Sequence, residues 1–266
     1  MFHSLMVYSA RGVNERYKPE YTESMERRDF SGSMTPLAAG FRRACLDQLY
    51  LAERGYPVKQ TVKLIGDRYQ LRAVQRSILM RGVIPPGSAS RRRVKLLSPE
   101  DLSGAELWVD ASNVVVAVGN YLCGKFLYIA TDGLLRDAAE SRGVFRNDGI
   151  RKRAAELVDA ALSELAPGKL ILYIDAPLTH SRDLARELRA GLSRRRGETQ
   201  VLLADHADEV LKQAPDIASS GDSEIIDSVD RVFDLTRFTL EKGLNARFPD
   251  LAEFIGDSDK LETARN

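Results

Sequence analysis

Five aspartates stand where short apolar, β-rich runs end. Asp110 closes Leu-Trp-Val, Asp132 follows Leu-Tyr-Ile-Ala-Thr, and Asp175 closes Ile-Leu-Tyr-Ile. Asp205 closes Val-Leu-Leu-Ala, and Asp222 follows Ile-Ala-Ser-Ser-Gly. In an open α/β sheet, ligands bind in the crevice beyond the carboxyl ends of the strands. If the strands carrying these residues are neighbours, the aspartates converge there. Clustered carboxylates repel one another in a low dielectric, and a hard cation relieves that repulsion. Two such ions a few ångströms apart would activate water and stabilise the leaving oxygen of a phosphodiester. The competing explanation is local, because an Asp just after a strand commonly caps a helix or forms a turn. For one Asp the cap explanation is stronger; for five in succession the cation explanation is. Asp205 is the weakest member, since Asp208 and Glu209 beside it mark an ordinary helix start.

Other chemistries fit the sequence less well. There is no Gly-x-x-x-x-Gly-Lys-Ser/Thr phosphate loop, no Gly-x-Gly-x-x-Gly fingerprint and no Gly-x-Ser-x-Gly elbow. His180 adjoins Ser181, but no placed acid completes a triad. The two cysteines, Cys45 and Cys123, fit no metal spacing and are expected to be buried free thiols. The three histidines are too scattered for a zinc site.

The elements that must position the aspartates begin near residue 105. Apolar runs at 107–109, 126–130, 170–174, 201–204, 217–218 and 232–235 alternate with helical spacing at 150–165 and 181–193. That alternation predicts an α/β domain over 105–240, with a mainly parallel sheet covered by helices on both faces. Residues 241–266 form a C-terminal extension, frayed from 251 onward. Residues 1–34 are polar and aperiodic and are expected to form a flexible tail. Within 35–83, Thr35 looks like an N-cap before Pro36, and Leu37, Phe41, Cys45 and Leu49 lay one apolar stripe on a helix over 36–54. A second helix follows Pro57 and ends at Gly66; a third covers 72–81. This is the pattern of a small all-α, helix-turn-helix-like domain. Its last helix would show Arg72, Gln75, Arg76 and Arg81 to solvent. Residues 84–104 read as a basic linker rich in Pro, Gly and Ser that carries Arg91, Arg92 and Arg93.

The formal net charge of +1 hides a division. Residues 1–99 hold 18 Lys/Arg against 8 Asp/Glu, and residues 100–266 hold 21 against 30. The split suggests a basic part that meets a polyanion and an acidic part that holds cations; mutual attraction of two solvated surfaces is the alternative. Arg72, Arg76, Arg91, Arg92 and Arg93 are the candidate nucleic-acid contacts. The N-terminus lacks a signal-peptide pattern and no apolar run is long enough for a membrane helix, so a soluble, cytoplasmic protein is expected.

The residues also carry a resemblance. Val-Asp-Ala-Ser-Asn-Val at 109–114 resembles the opening Asp-Gly-x-Asn strand motif of PIN-like nucleases, particularly the NYN branch. Ser-Ser-Gly-Asp-Ser-Glu-Ile-Ile at 219–226 resembles that superfamily's late Thr-Ser-Asp-Ser block. The longer similarity is to an uncharacterised family of archaeal and bacterial proteins, in which a short helical domain like residues 36–83 precedes a PIN-like domain like residues 105–240. Residues 132–137 and 175–181 look like its internal blocks. Two departures stand out: Ala111 replaces the Gly after the first Asp, and Gly221 sits inside the Ser-Asp block.

The resemblance implies a metal-dependent ribonuclease in which Asp110, Asp175 and Asp222 bind Mg²⁺ or Mn²⁺ and Asp132 completes the catalytic pocket. It also implies roles for Asn113 in orienting Asp110 or a water, and for Ser181, Ser220 and Arg136 in binding phosphate. Helix capping by the serines and pairing of Arg136 with Asp132 or Asp137 stay open as alternatives. A non-catalytic nucleic-acid-binding regulator with a degenerate domain, or a small-molecule phosphohydrolase, are the alternatives to a nuclease.

Overall fold

The computed structural model describes residues 36–138 and 147–256. The tail expected over 1–34, the Thr35 cap and residues 257–266 lie outside them. Among the described residues, no helix is long and apolar enough to cross a membrane.

The domain from β1 onward is an α/β structure. Strands β1 (Glu106–Asp110), β4 (Lys169–Asp175), β5 (Glu198–Ala204), β6 (Ile217–Ser219) and β7 (Arg231–Val232) form one sheet in the order β5-β4-β1-β6-β7. Every pairing in it is parallel. Strand geometry sends successive side chains to opposite faces, and the sequence obeys it. Leu107, Val109, Leu170, Leu172 and Ile174 enter one core with Val114, Val158, Leu162, Leu184 and Leu240. Trp108, Ile171, Tyr173 and Ala218 enter a second core with Leu211, Ile225 and Ile226. The sheet is therefore covered on both faces, by α5 (Ala111–Leu122), α6 (Asp148–Leu165), α7 (Ser181–Leu192) and α10 (Leu235–Leu244) on one side and by α8 (Ala207–Leu211) and α9 (Ser223–Ser228) on the other.

The run at 126–130 departs from expectation. It forms β2 (Leu127–Ile129), which pairs with β3 (Leu135–Asp137) in an antiparallel hairpin outside the parallel sheet. Its Tyr128 and Ala130 face away from the main core and join a third core with the N-terminal helices. Those helices are α1 (Ala39–Glu53), α2 (Val58–Arg68) and α3 (Ala73–Gly82). Phe41 and Cys45 of the expected stripe are buried, but α1 starts at Ala39 rather than at Pro36. Gly66 does not end α2; it lies inside the helix, where a Cβ would overlap the Arg76 guanidinium that crosses it. Cys123 is exposed, contrary to expectation, and both cysteines are free.

The stretch expected as a linker contains a helix, α4 (Pro86–Arg93), with Pro at its start, where the missing N–H does no harm. The extension expected to fray from 251 begins with α11 (Leu251–Gly256), whose Leu251 and Ile255 pack beside Phe41 and Leu79. Arg42 fastens that packing by donating to the carbonyls of Phe254 and Ile255.

Candidate active site at the strand ends

The chain leaves β1 on opposite sides through β4 and β6, so the strand order reverses beside β1. A crevice outside the carboxyl ends is expected at such a switch point. Asp110 ends β1 there and Asp175 ends β4, while Asp222 begins the turn of chain after β6. In the β1–β4 register Asp110 lies beside Tyr173, which puts Asp175 two residues further along the neighbouring strand.

Asp110 is the centre of the arrangement. Its carboxylate is buried and accepts hydrogen bonds from the Asn113 N–H at 3.0 Å and the Ser220 hydroxyl at 2.9 Å. Burial pushes its pKa up from an ordinary value near 3.8 to about 6, against the pull of those two bonds, and the charges of Asp175 and Asp222 push the same way. Ser220 in turn accepts the Asp222 N–H at 3.0 Å, so one hydroxyl ties the β1 and β6 carboxylates together. Asn113 Oδ1 accepts the Gly221 N–H at 2.9 Å. A Cβ on Gly221 would stand 2.7 Å from that oxygen, so the glycine permits the close approach of the two motifs. Asp175 is fixed through its own N–H, which donates to Ser112 Oγ at 2.8 Å. Ser112 stands in the Asp-Ala-Ser-Asn motif, yet sequence reasoning gave it no role; the signal was a second hydroxyl between the two residues already singled out.

The carboxylates also cap helices. Asp110 caps α5, and Asp222 accepts the Glu224 N–H at the start of α9. Cap and site are therefore the same residues. Among the described residues, no three His, Cys, Asp or Glu side chains close into a cage around one point. The donor set consists of hard carboxylate oxygens without thiolate or imidazole. It suits Mg²⁺ or Mn²⁺, and Mg²⁺ commonly keeps several waters and takes only one or two protein carboxylates plus substrate phosphate.

Several expected site residues have other occupations. Asp132 is fully buried between two guanidinium groups, with Arg92 at 2.9 Å and Arg136 at 2.8 Å. Its charge is already neutralised, so it does not complete the carboxylate pocket. Arg136 is buried on that same Asp132 and cannot meet a phosphate. Arg92 is buried too; besides Asp132 it holds Asp227 through two bonds of 2.7 Å and Ser223 Oγ at 3.1 Å. It is an anchor between α4, the hairpin and α9 rather than a nucleic-acid contact. Ser181 is buried and donates to the Ala176 carbonyl at 2.9 Å, as a turn residue would. Ser220 serves Asp110 instead of an incoming phosphate. Arg76 donates to the Leu71 carbonyl and pairs with Asp67 at 2.9 Å, and Gln75 is buried on the Pro36 carbonyl rather than exposed. Arg72, Arg91 and Arg93 are exposed, although Arg93 also donates to the Thr131 carbonyl. Asp205 is exposed in the turn after the edge strand β5.

Sequence reasoning also passed over Asp234. It is half-buried after β7 and accepts the N–H groups of Leu135 at 2.7 Å and Arg237 at 2.9 Å. Burial raises its pKa against those bonds. It fastens the hairpin to α10.

Fold and site together define an α/β protein with carboxylates at the sheet's switch point and a helical region before it. The chain belongs to the family described as Domain of unknown function (DUF5616), whose model matches residues 99–238. Residues 40–95 match a second model, Protein of unknown function (DUF434). The chain is 25% identical over 197 residues to the uncharacterized protein MJ0935 of Methanocaldococcus jannaschii, a match spanning 73% of this chain and 94% of the relative. No solved structure gives a significant match.

Proposed function

We propose that this chain is a Mg²⁺- or Mn²⁺-dependent phosphodiesterase acting on nucleic acid, RNA in the first instance, and that its α/β domain is PIN-like. One observation carries the reading: a buried carboxylate at the sheet's switch point, Asp110, is raised toward neutrality by burial and by two neighbouring carboxylates. Such a group gains from a cation, and its placement matches where α/β sheets bind ligands. Asp110, Asp175 and Asp222 would hold the ion; when bound, it supplies a more acidic water and offsets charge on the phosphate. Asn113 and Ser220 keep Asp110 in place through bonds that leave lone pairs free on both oxygens. Arg72, Arg91 and Arg93, all exposed, would meet a phosphate backbone, Arg93 leaving its carbonyl contact to do so.

A binding-only domain is favoured by one feature, the double hydrogen bonding of Asp110 without a closed cage around it. A mixed panel of labelled RNA and DNA incubated with EDTA, Mg²⁺ or Mn²⁺ separates the two readings. Cleavage restricted to the metal-containing reactions is the expected result. Binding without cleavage under every condition would establish the regulator.

A further inference from the structure

A cavity of about 650 Å³ lies at the edge of the sheet away from the carboxylates, beside the start of β5. It is lined by the last turns of α6 (Asp159, Ser163), the end of α7 (Gly191, Ser193) and the three consecutive arginines Arg194, Arg195 and Arg196 before β5. Helices in such a domain run back along the strands, so their C-terminal ends meet the strand N-termini. The seven residues of β4 put about 20 Å between this edge and Asp175.

Arg195 is the unusual member. Its Nη1 is spoken for, donating to the Glu198 carbonyl at 3.2 Å and Thr199 Oγ1 at 3.0 Å. Its Nε and Nη2, the two parallel N–H groups of the guanidinium's other edge, are shielded from solvent and have no partner. That edge is the fork that grips a carboxylate or phosphate with two bonds. Among the described residues, no acidic side chain neutralises Arg195, and desolvation alone lowers its pKa. Across the same cavity Asp159 has an unpartnered buried Oδ1, yet no ion pair joins it to Arg195 among the described residues. Buried donors of a charged group left unsatisfied are costly, so the fork gains if it turns to an acceptor in the cavity.

We propose that this cavity binds the phosphate group of a nucleotide-sized ligand, with Arg195 turning its Nε–Nη2 edge onto two phosphate oxygens. Arg194 and Arg196, exposed in the same lining, draw the anion in. A phosphate monoester carrying one proton satisfies both sides at once. Its oxygens accept from Arg195, and its P–OH donates to Asp159, a match that a fully ionised diester lacks. The volume falls within the range of small-molecule sites. A free nucleotide and a phosphorylated nucleic-acid end offer the same chemistry.

Isothermal titration of the full-length protein tests this, with inorganic phosphate, a nucleoside monophosphate, the matching nucleoside, and an oligonucleotide with or without a 5′-phosphate. Phosphate and at least one phosphorylated probe should bind, and the unphosphorylated partner of that probe should bind at least tenfold more weakly. Arg195→Lys keeps the charge but loses the fork and should weaken binding at least tenfold. If Arg195→Lys does not fold, Ser193→Glu at the exposed cavity wall should weaken the same binding by opposing charge. Stronger binding by the nucleotide identifies a small-molecule site, and stronger binding by the 5′-phosphorylated oligonucleotide identifies a strand end. No binding of phosphate or of either phosphorylated probe, or unchanged affinity in the Arg195 or Ser193 variant, would overturn the assignment.

Discussion

Replacing Asp110 with Asn should stabilise the metal-free protein at neutral pH. The Asp110 pKa rises from near 3.8 to about 6 on folding, so the folded chain holds its proton more tightly than the unfolded chain. For an acid with a raised folded pKa, the favourable contribution is fully present below the unfolded value. It is lost as pH rises through the folded value. At pH 7.5 the ionised group therefore opposes folding. A shift of about two units corresponds to roughly 3 kcal/mol, an upper figure because local relaxation would reduce it. Asn keeps the shape and can still accept the Asn113 N–H, and it turns an amide N–H₂ toward the Ser220 oxygen. Urea melts of wild type and Asp110→Asn in EDTA, at pH 4 and pH 7.5, read the difference directly. The variant should be about 2–3 kcal/mol more stable at pH 7.5 and nearly equal at pH 4. Comparing the two chains at each pH cancels other titrating groups, including Asp234. A variant that is less stable at pH 7.5, or a difference that does not change with pH, would refute the electrostatic picture of the crevice.

Three other changes probe its supports. Gly221→Ala forces a Cβ against Asn113 Oδ1 and should cost about 1–3 kcal/mol in a thermal or urea melt, with loss of cleavage out of proportion to the unfolding. Arg92→Met leaves Asp132 on Arg136 alone and frees Ser223 and Asp227; a stability loss of about 3 kcal/mol is expected, against under about 0.5 kcal/mol for exposed Arg91→Ala. Changing Arg91 and Arg93 together to Ala should weaken RNA binding and reduce the slope of log affinity against log salt by about 1.4, if both meet phosphate. An unchanged slope would remove them from the interface.

The parallel sheet was legible because its strands are buried on both faces and read as short apolar runs, such as Leu-Ile-Leu-Tyr-Ile before Asp175. The switch-point acids were legible for the same reason, since each follows such a run. The hairpin misled, because Leu-Tyr-Ile at 127–129 is as apolar as a sheet strand. Only its packing partners, Phe41 and Leu79, distinguish it, and they are distant in sequence. Asp132 was misplaced with it. The Pro-Pro-Gly-Ser stretch has linker composition, yet Pro86 opens a helix that Arg92 pins down through acids 40 and 135 residues away. Long-range ion pairing of that kind leaves no local pattern. Helix α5 was passed over because its valine run, with Val114, Val115 and Val118 fully buried, reads as readily as a strand. The unpaired edge of Arg195 is likewise invisible in a run of three arginines.

The central claim rests on the carboxylates at the strand ends, and the most direct measurement is RNA cleavage in Mg²⁺ or Mn²⁺ by wild type, Asp110→Asn and Asp222→Asn, with RNA affinity measured in parallel. Wild type should cleave and EDTA should stop it. Each variant should lose cleavage while binding RNA as tightly or more tightly, since one charge that repels phosphate has gone. Variants that cleave as well as wild type, or a wild type that neither cleaves nor gains stability from either ion, would contradict a metal-dependent nuclease.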